Sequence, residues 1–108
     1  MSISTSPDHF QEQLPIPVPH DEIRQFCLQN HIRKFSWFGS VLRDDFTAAS
    51  DIDVLVEFEP GKTPGFAIVT MQNQLSQLLN GWTVDLRTPQ ELSPYIRDRV
   101  LSEAVVEY

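Results

Sequence analysis

The stretch GSVLRDDFTAASDIDVLVEF, Gly39 to Phe58, decides how this chain is read. It ends in an apolar run in which Ile52, Val54, Val56 and Phe58 alternate with Asp51, Asp53, Leu55 and Glu57, the period-two pattern of a strand with one face against a core. Two carboxylates, Asp51 and Asp53, occupy the start of this segment built for burial. At i and i+2 on a strand they point the same way, with Cβ atoms roughly 6–7 Å apart. Such a pair can converge on divalent ions, and oxygen-only ligands select Mg²⁺ or Mn²⁺ over zinc. Paired ions of this kind serve phosphoryl and nucleotidyl transfer.

Working outward, Gly39-Ser40 stands ten residues before Asp51 and follows IRKFSWF, which reads as a strand. A strand that ends at glycine and turns into a short helix at Ser40 offers backbone N–H groups to an anion. Arg43, one turn further on, adds a guanidinium suited to phosphate. A third carboxylate, Asp85, lies on the polar face of WTVDLRT, whose Trp82, Val84 and Leu86 form the apolar face of another strand. If the two strands are neighbours, all three acids share one site. Taken singly these features are weak: an Asp-x-Asp is commonly a polar strand start, and arginines such as Arg43 and Arg87 are more often surface salt bridges than phosphate ligands. Their joint placement gives them meaning.

The rest of the pattern completes an α/β (α+β) domain. Pro19 to Asn30 is predicted helical, with Ile23, Phe26 and Cys27 at helical spacing and Asp21 and Glu22 in the first turn. Pro60 to Gly65 is a loop, and Phe66 to Leu79 a helix with Leu75, Leu78 and Leu79 inward, ended by Asn80-Gly81. After Pro89 a last helical region carries an apolar stripe of Ile96, Val100, Leu101, Ala104 and Val105. Tyr95 is expected in the core or at an interface, and Tyr108 at a frayed end. Residues 1–18, with Pro7, Pro15 and Pro17, are read as a flexible tail preceding a single domain over residues 19–108.

With 108 residues there is room for one core and no second domain. Eight Lys and Arg against fifteen Asp and Glu give a net charge of −7, which argues against direct nucleic-acid binding. The lone Cys27, between Phe26 and Leu28, excludes a disulfide framework or a Cys-based zinc site and reads as a buried thiol. The N-terminus lacks the charged and apolar regions of a signal peptide, and no apolar run spans a membrane, so a cytoplasmic protein is expected.

The Gly-Ser, ten residues, Asp-x-Asp pattern resembles the polymerase β-like nucleotidyltransferase superfamily. FGSVLRDDFTAASDIDVLVEF, VDLRTP and LSPYIRDRVLSEAV are together most similar to its minimal members, the MNT-type antitoxins of HEPN–MNT toxin–antitoxin pairs, over about Ile16 to the C-terminus. The resemblance implies a small mixed β-sheet flanked by helices and Mg²⁺-dependent transfer of a nucleotide from ATP. It implies that Gly39 and Ser40 hold the triphosphate, with Arg43 the candidate guanidinium beside them. Asp51, Asp53 and Asp85 would bind two metal ions, Asp85 also helping to deprotonate the acceptor. Some members place AMP on a tyrosine of a HEPN-type ribonuclease toxin, which makes such a toxin the expected partner, in a hetero-oligomer. Where many members have glycine after the arginine, this chain has Asp44 and Asp45. Two other functions fit the same residues: a non-catalytic antitoxin that inhibits by binding, and a nucleotidyltransferase acting on a small acceptor.

Overall fold

The computed structural model describes residues 14–108. Three helices and a four-stranded mixed sheet make up the described part. Helix α1 (His20–Gln29) leads to strand β1 (Ile32–Phe38), a 3₁₀ turn (Gly39–Leu42) and strand β2 (Ile52–Phe58). Helix α2 (Ile68–Leu78), strand β3 (Val84–Arg87), helix α3 (Pro94–Glu103) and a two-residue strand β4 (Val105–Val106) follow. The sheet order is β3-β2-β1-β4. Strand β1 is antiparallel to both β2 and β4, whereas β2 and β3 are parallel, joined through α2 as a parallel pair requires.

One face of the sheet carries the core. From β2, Ile52, Val54 and Val56 are fully buried, and they meet Phe35 and Trp37 of β1, Ile23, Phe26 and Cys27 of α1, and Met71, Leu75 and Leu79 from α2 and its end. Ile32 and Phe35 are both buried although three residues apart, a spacing that in a regular strand puts them on opposite faces. The register of β1 against β2 shifts between Ile32 and Lys34, and this bulge returns both side chains to the core. Leu55, on the opposite face by alternation, is also buried, so β2 is covered on both sides.

Helix α2 stops as its sequence predicts. Asn80 and Gly81 both take positive φ, 60° and 88°, and the Gly81 N–H donates to Ser76 O at 2.8 Å, closing the last turn. Its start differs: Gly65–Ala67 form a 3₁₀ turn, Phe66 is fully exposed, and the α-helix begins only at Ile68. From α2, Gln72 Oε1 accepts the Leu86 N–H of β3 at 2.9 Å.

The two ends of the chain depart from expectation. Of the tail expected over residues 1–18, residues 1–13 lie outside the described residues. Ile16 is buried and Leu14 and Val18 pack on the core, so the folded part reaches back beyond Pro19. At the other end the apolar stripe of α3 is not a core face: no residue of the helix is buried, Ile96 and Leu101 are 46% and 41% exposed, and Tyr95 is 96% exposed. Ala104 turns extended, and the β-branched Val105 and Val106 leave the helix to pair with Trp37 and Ser36. Tyr108 is held rather than frayed, exchanging backbone hydrogen bonds with Phe35 in both directions at 3.1 Å. Next to it, Glu107 accepts the Trp37 indole N–H at 3.1 Å and contacts His20 Nδ1. Burial, and then the Glu107 charge, push the Cys27 thiol up to about 12. No described helix is long and apolar enough to cross a membrane.

Candidate active site

Strand pairing brings the separated motifs together. Phe38, the last residue of β1, lies opposite Asp53 in the antiparallel register, so the chain leaving β1 must turn directly over that carboxylate. It does so at Gly39, whose φ is +74°. A Cβ built there would sit 2.2 Å from Asp53 Oδ2 and 3.1 Å from Asp53 Cγ. Both the dihedral and the space therefore require glycine. Ser40 then ties the turn down, its N–H donating to the Asp53 carboxylate and its hydroxyl to the Asp51 carbonyl oxygen at 3.3 Å.

The residues between the motifs fold into a loop that returns the chain to β2. Thr47 N–H donates to Ser50 Oγ at 3.0 Å, and the Phe46 ring lies 5.0 Å from that of Trp82. Ile52 N–H then donates to Thr83 O at 2.8 Å, setting β2 beside β3. In that parallel register Asp53 is the direct partner of Asp85, so the third acid arrives where the neighbouring-strand reading places it. Burial raises the Asp53 pKa above the usual carboxylate value; the charges of Asp85 and then Asp51 raise it further, against the opposing pull of the Ser40 N–H and Arg87. Asp85 is itself engaged, its Oδ1 accepting from Arg87 Nε at 3.0 Å. Among the described residues no three His, Cys, Asp or Glu side chains are already gathered closely enough to form a metal-ligand cluster. The carboxylates present are nonetheless the hard-oxygen donors a Mg²⁺ ion takes, and their mutual repulsion at Asp53 is what a cation would relieve.

Beside this corner opens a cavity of about 330 Å³. Gly39, Ser40, Arg43 and Asp53 form one wall, and Ile96, Arg99, Val100 and Glu103 of α3 form the other. Its lining does not include Asp51 or Asp85, which stand at the strand starts nearby. The helix expected from Ser40 is only the four-residue 3₁₀ turn, too short for a macrodipole, and the Ser40 N–H is already committed to Asp53.

The contribution of α3 was not anticipated from sequence. Its cleft face repeats at i, i+3, i+4 and i+7 (Ile96, Arg99, Val100, Glu103), which reads as an apolar stripe only if the two charged positions are passed over. An arginine and a glutamate on the same face as Ile96 and Val100 are the signal that this face meets a solvated cleft. Helix α3 is held by Arg97, whose Nε donates to Pro89 O at 2.8 Å and a terminal nitrogen to Leu92 O at 2.9 Å.

A family model described as "Nucleotidyltransferase domain" matches residues 20–106. A protein of Methanocaldococcus jannaschii named "Putative protein adenylyltransferase MJ0435" is 38% identical over 84 residues, covering 78% of this chain and 88% of that one. Among solved structures, one named "putative minimal nucleotidyltransferase" superposes with a TM-score of 0.68 at 27% identity, covering 96% of this chain and 98% of its own. A toxin–antitoxin structure with AMP-PNP shares the fold, with a TM-score of 0.68 at 19% identity, over 84% of this chain and 73% of that one.

Proposed function

The chain belongs to the nucleotidyltransferase domain family and is a nucleotidyltransferase, and on that premise we propose that it is an antitoxin that transfers AMP from ATP to a hydroxyl group of a toxin partner. The observation that carries this reading is the junction at Asp53. One backbone turn, Gly39-Ser40, is closed onto a carboxylate that lies in register with Asp85 and two residues from Asp51. The protein-adenylyltransferase name of the archaeal relative supports a protein acceptor, and the toxin–antitoxin neighbour with AMP-PNP supports both the nucleotide and the kind of partner. The resemblance of the motifs to MNT-type antitoxins favours a HEPN-type ribonuclease, modified on tyrosine, in a cytoplasmic hetero-oligomer.

In this reading Gly39, Ser40 and Arg43 face the phosphates of ATP, and Asp51, Asp53 and Asp85 hold Mg²⁺. The metal, when bound, neutralises phosphate charge and stabilises the attacking and leaving oxygens of the transfer. The protein's own work is positional. Gly39 lets the backbone approach the carboxylate, Ser40 fixes the turn to both ends of the Asp-x-Asp pair, and the β2–β3 register sets Asp85 beside Asp53. In the same reading Asp85 accepts the proton of the incoming hydroxyl, and Arg87, bonded to it at 3.0 Å, orients the carboxylate.

The test is a labelling assay with Mg²⁺, the protein and its native co-purifying partners. ATP labelled at the α-phosphate is compared with ATP labelled at the γ-phosphate, with Asp51→Ala/Asp53→Ala as control. Label from the α position alone on the partner, lost in the control, is the expected result, and mass spectrometry then identifies the acceptor. An unlabelled partner inhibited equally by both versions would replace transfer by inhibition through binding.

A further inference from the structure

The cleft carries two guanidinium groups on opposite walls, Arg43 beside the Gly-Ser turn and Arg99 on α3. Arg99 is occupied, but loosely: its Nε lies 3.5 Å from Glu103 Oε2, and the two side chains are 73% and 55% exposed. An exposed i,i+4 pair of this kind is weak, and here arginine precedes glutamate, the less favourable order. Glu103 is also the last residue of α3, where the helix end is negative and disfavours a carboxylate. Helix α3 adds no buried side chain to the core, yet it supplies one wall of the cleft and is anchored there by Arg97. A weakly held arginine facing a Gly-Ser turn across a cleft, with most of its N–H donors unspent, is suited to an anion with several oxygens.

We infer that Arg99 exchanges Glu103 for phosphate oxygens when a nucleoside triphosphate enters the cleft, so that α3 supplies the second half of the phosphate site and Glu103 restrains it while the cleft is empty. This rests on the reading of the cleft as a nucleotide site and adds to it a residue and a restraint that the motif does not contain. After the exchange Glu103 is left unpaired beside the phosphates. The two members of one ion pair therefore act on binding with opposite signs, which a merely structural salt bridge does not do.

The experiment measures binding of α,β-methylene-ATP in excess Mg²⁺ by calorimetry, for the wild-type chain, Arg99→Gln and Glu103→Gln, with melting curves run on each. Both side chains are exposed, so the melting temperatures are expected to stay within a few degrees of wild type. Arg99→Gln is expected to weaken binding by about tenfold or more, the scale of a hydrogen bond to a charged group. Glu103→Gln is expected to tighten it a few-fold. Binding by Arg99→Gln within twofold of wild type would overturn the inference, and weaker binding by Glu103→Gln would overturn the restraint. If the wild-type chain binds no analogue at all, the nucleotide reading of the cleft falls first, an outcome distinct from either.

Discussion

Replacing Gly39 by alanine tests the junction on which the functional reading stands. Two costs are built into the position. The first is conformational: φ of +74° places a side chain in the left-handed region, at about 1–2 kcal/mol. The second is contact: the new methyl would lie 2.2 Å from Asp53 Oδ2, where ordinary contact begins at 3.4 Å, so the carboxylate or the turn must move by about 1 Å. Gly61 separates the two costs, because its φ is +78° and an added Cβ meets nothing within 4 Å. Gly61→Ala should therefore lose only the dihedral cost, a drop in melting temperature of roughly 4–16 °C for a domain of this size. Gly39→Ala should lose more stability than this. Its transfer activity should fall by about a hundredfold, the scale of a 1 Å misplacement in a reacting site, while Gly61→Ala keeps full activity. In an Asp53→Ala background most of the excess stability cost of Gly39→Ala should disappear, because the colliding oxygen and Cγ are gone and only the Cβ of residue 53, at 3.3 Å, remains close. Thermal melts and α-labelled ATP transfer on these variants decide the matter. Equal stability loss at the two glycines, or transfer by Gly39→Ala within twofold of wild type, would show that the turn does not depend on its contact with Asp53.

Asp53→Asn should abolish transfer and yet stabilise the fold at neutral pH, since burial and two neighbouring acids raise the Asp53 pKa. The sign follows from linkage: the folded state binds this proton more tightly than the unfolded chain, so wild-type stability falls as pH rises from the ordinary value of 3.8 through the raised one. Melts at pH 7 should favour the variant and melts at pH 3 should not; the reverse order would refute the assignment. Glu107→Ala strands the buried Trp37 N–H and should cost about 1–3 kcal/mol in urea unfolding, with a loss below 0.5 kcal/mol counting against a structural role. Cys27, fully buried with its pKa pushed up to about 12, should resist a disulfide reagent at pH 8 until the protein unfolds, and rapid labelling of the native chain would contradict its placement.

What could be read from sequence divides along physical lines. Strand β2 was legible because its period is local: Ile52, Val54 and Val56 alternate and are all fully buried. The Gly39–Asp53 contact was legible only as spacing, since it depends on which residue of β1 lies opposite Asp53 in the register. Helix α1 and the Asn80-Gly81 stop followed from local chemistry in the same way. Strand β4 was hidden because Val105 continues the helical spacing of α3, and its partner, Trp37, is remote in sequence. Periodicity reports an apolar face without saying what the face meets, which is why Ile96 and Val100 read as core although they line an open cleft. The held position of Tyr108 depends likewise on backbone bonds to Phe35, which no local pattern encodes.

The hydrogen bond from Leu86 to Gln72 bears on how these molecules behave in a crowd. Among the described residues strand β3 is the last of the sheet on its side, and an outermost strand offers unpaired amide groups to any extended chain that passes. Here one of those groups is already answered by a side-chain amide that reproduces the carbonyl of a neighbour that is not there. The sheet thus ends on a counterfeit strand a single group wide. Leucine at position 72 would remove that acceptor and leave the Leu86 N–H open to water or to any extended strand that reached this edge, the same edge of a second copy included. A residue that takes no part in transfer chemistry thereby helps keep the domain from joining sheets with its own kind.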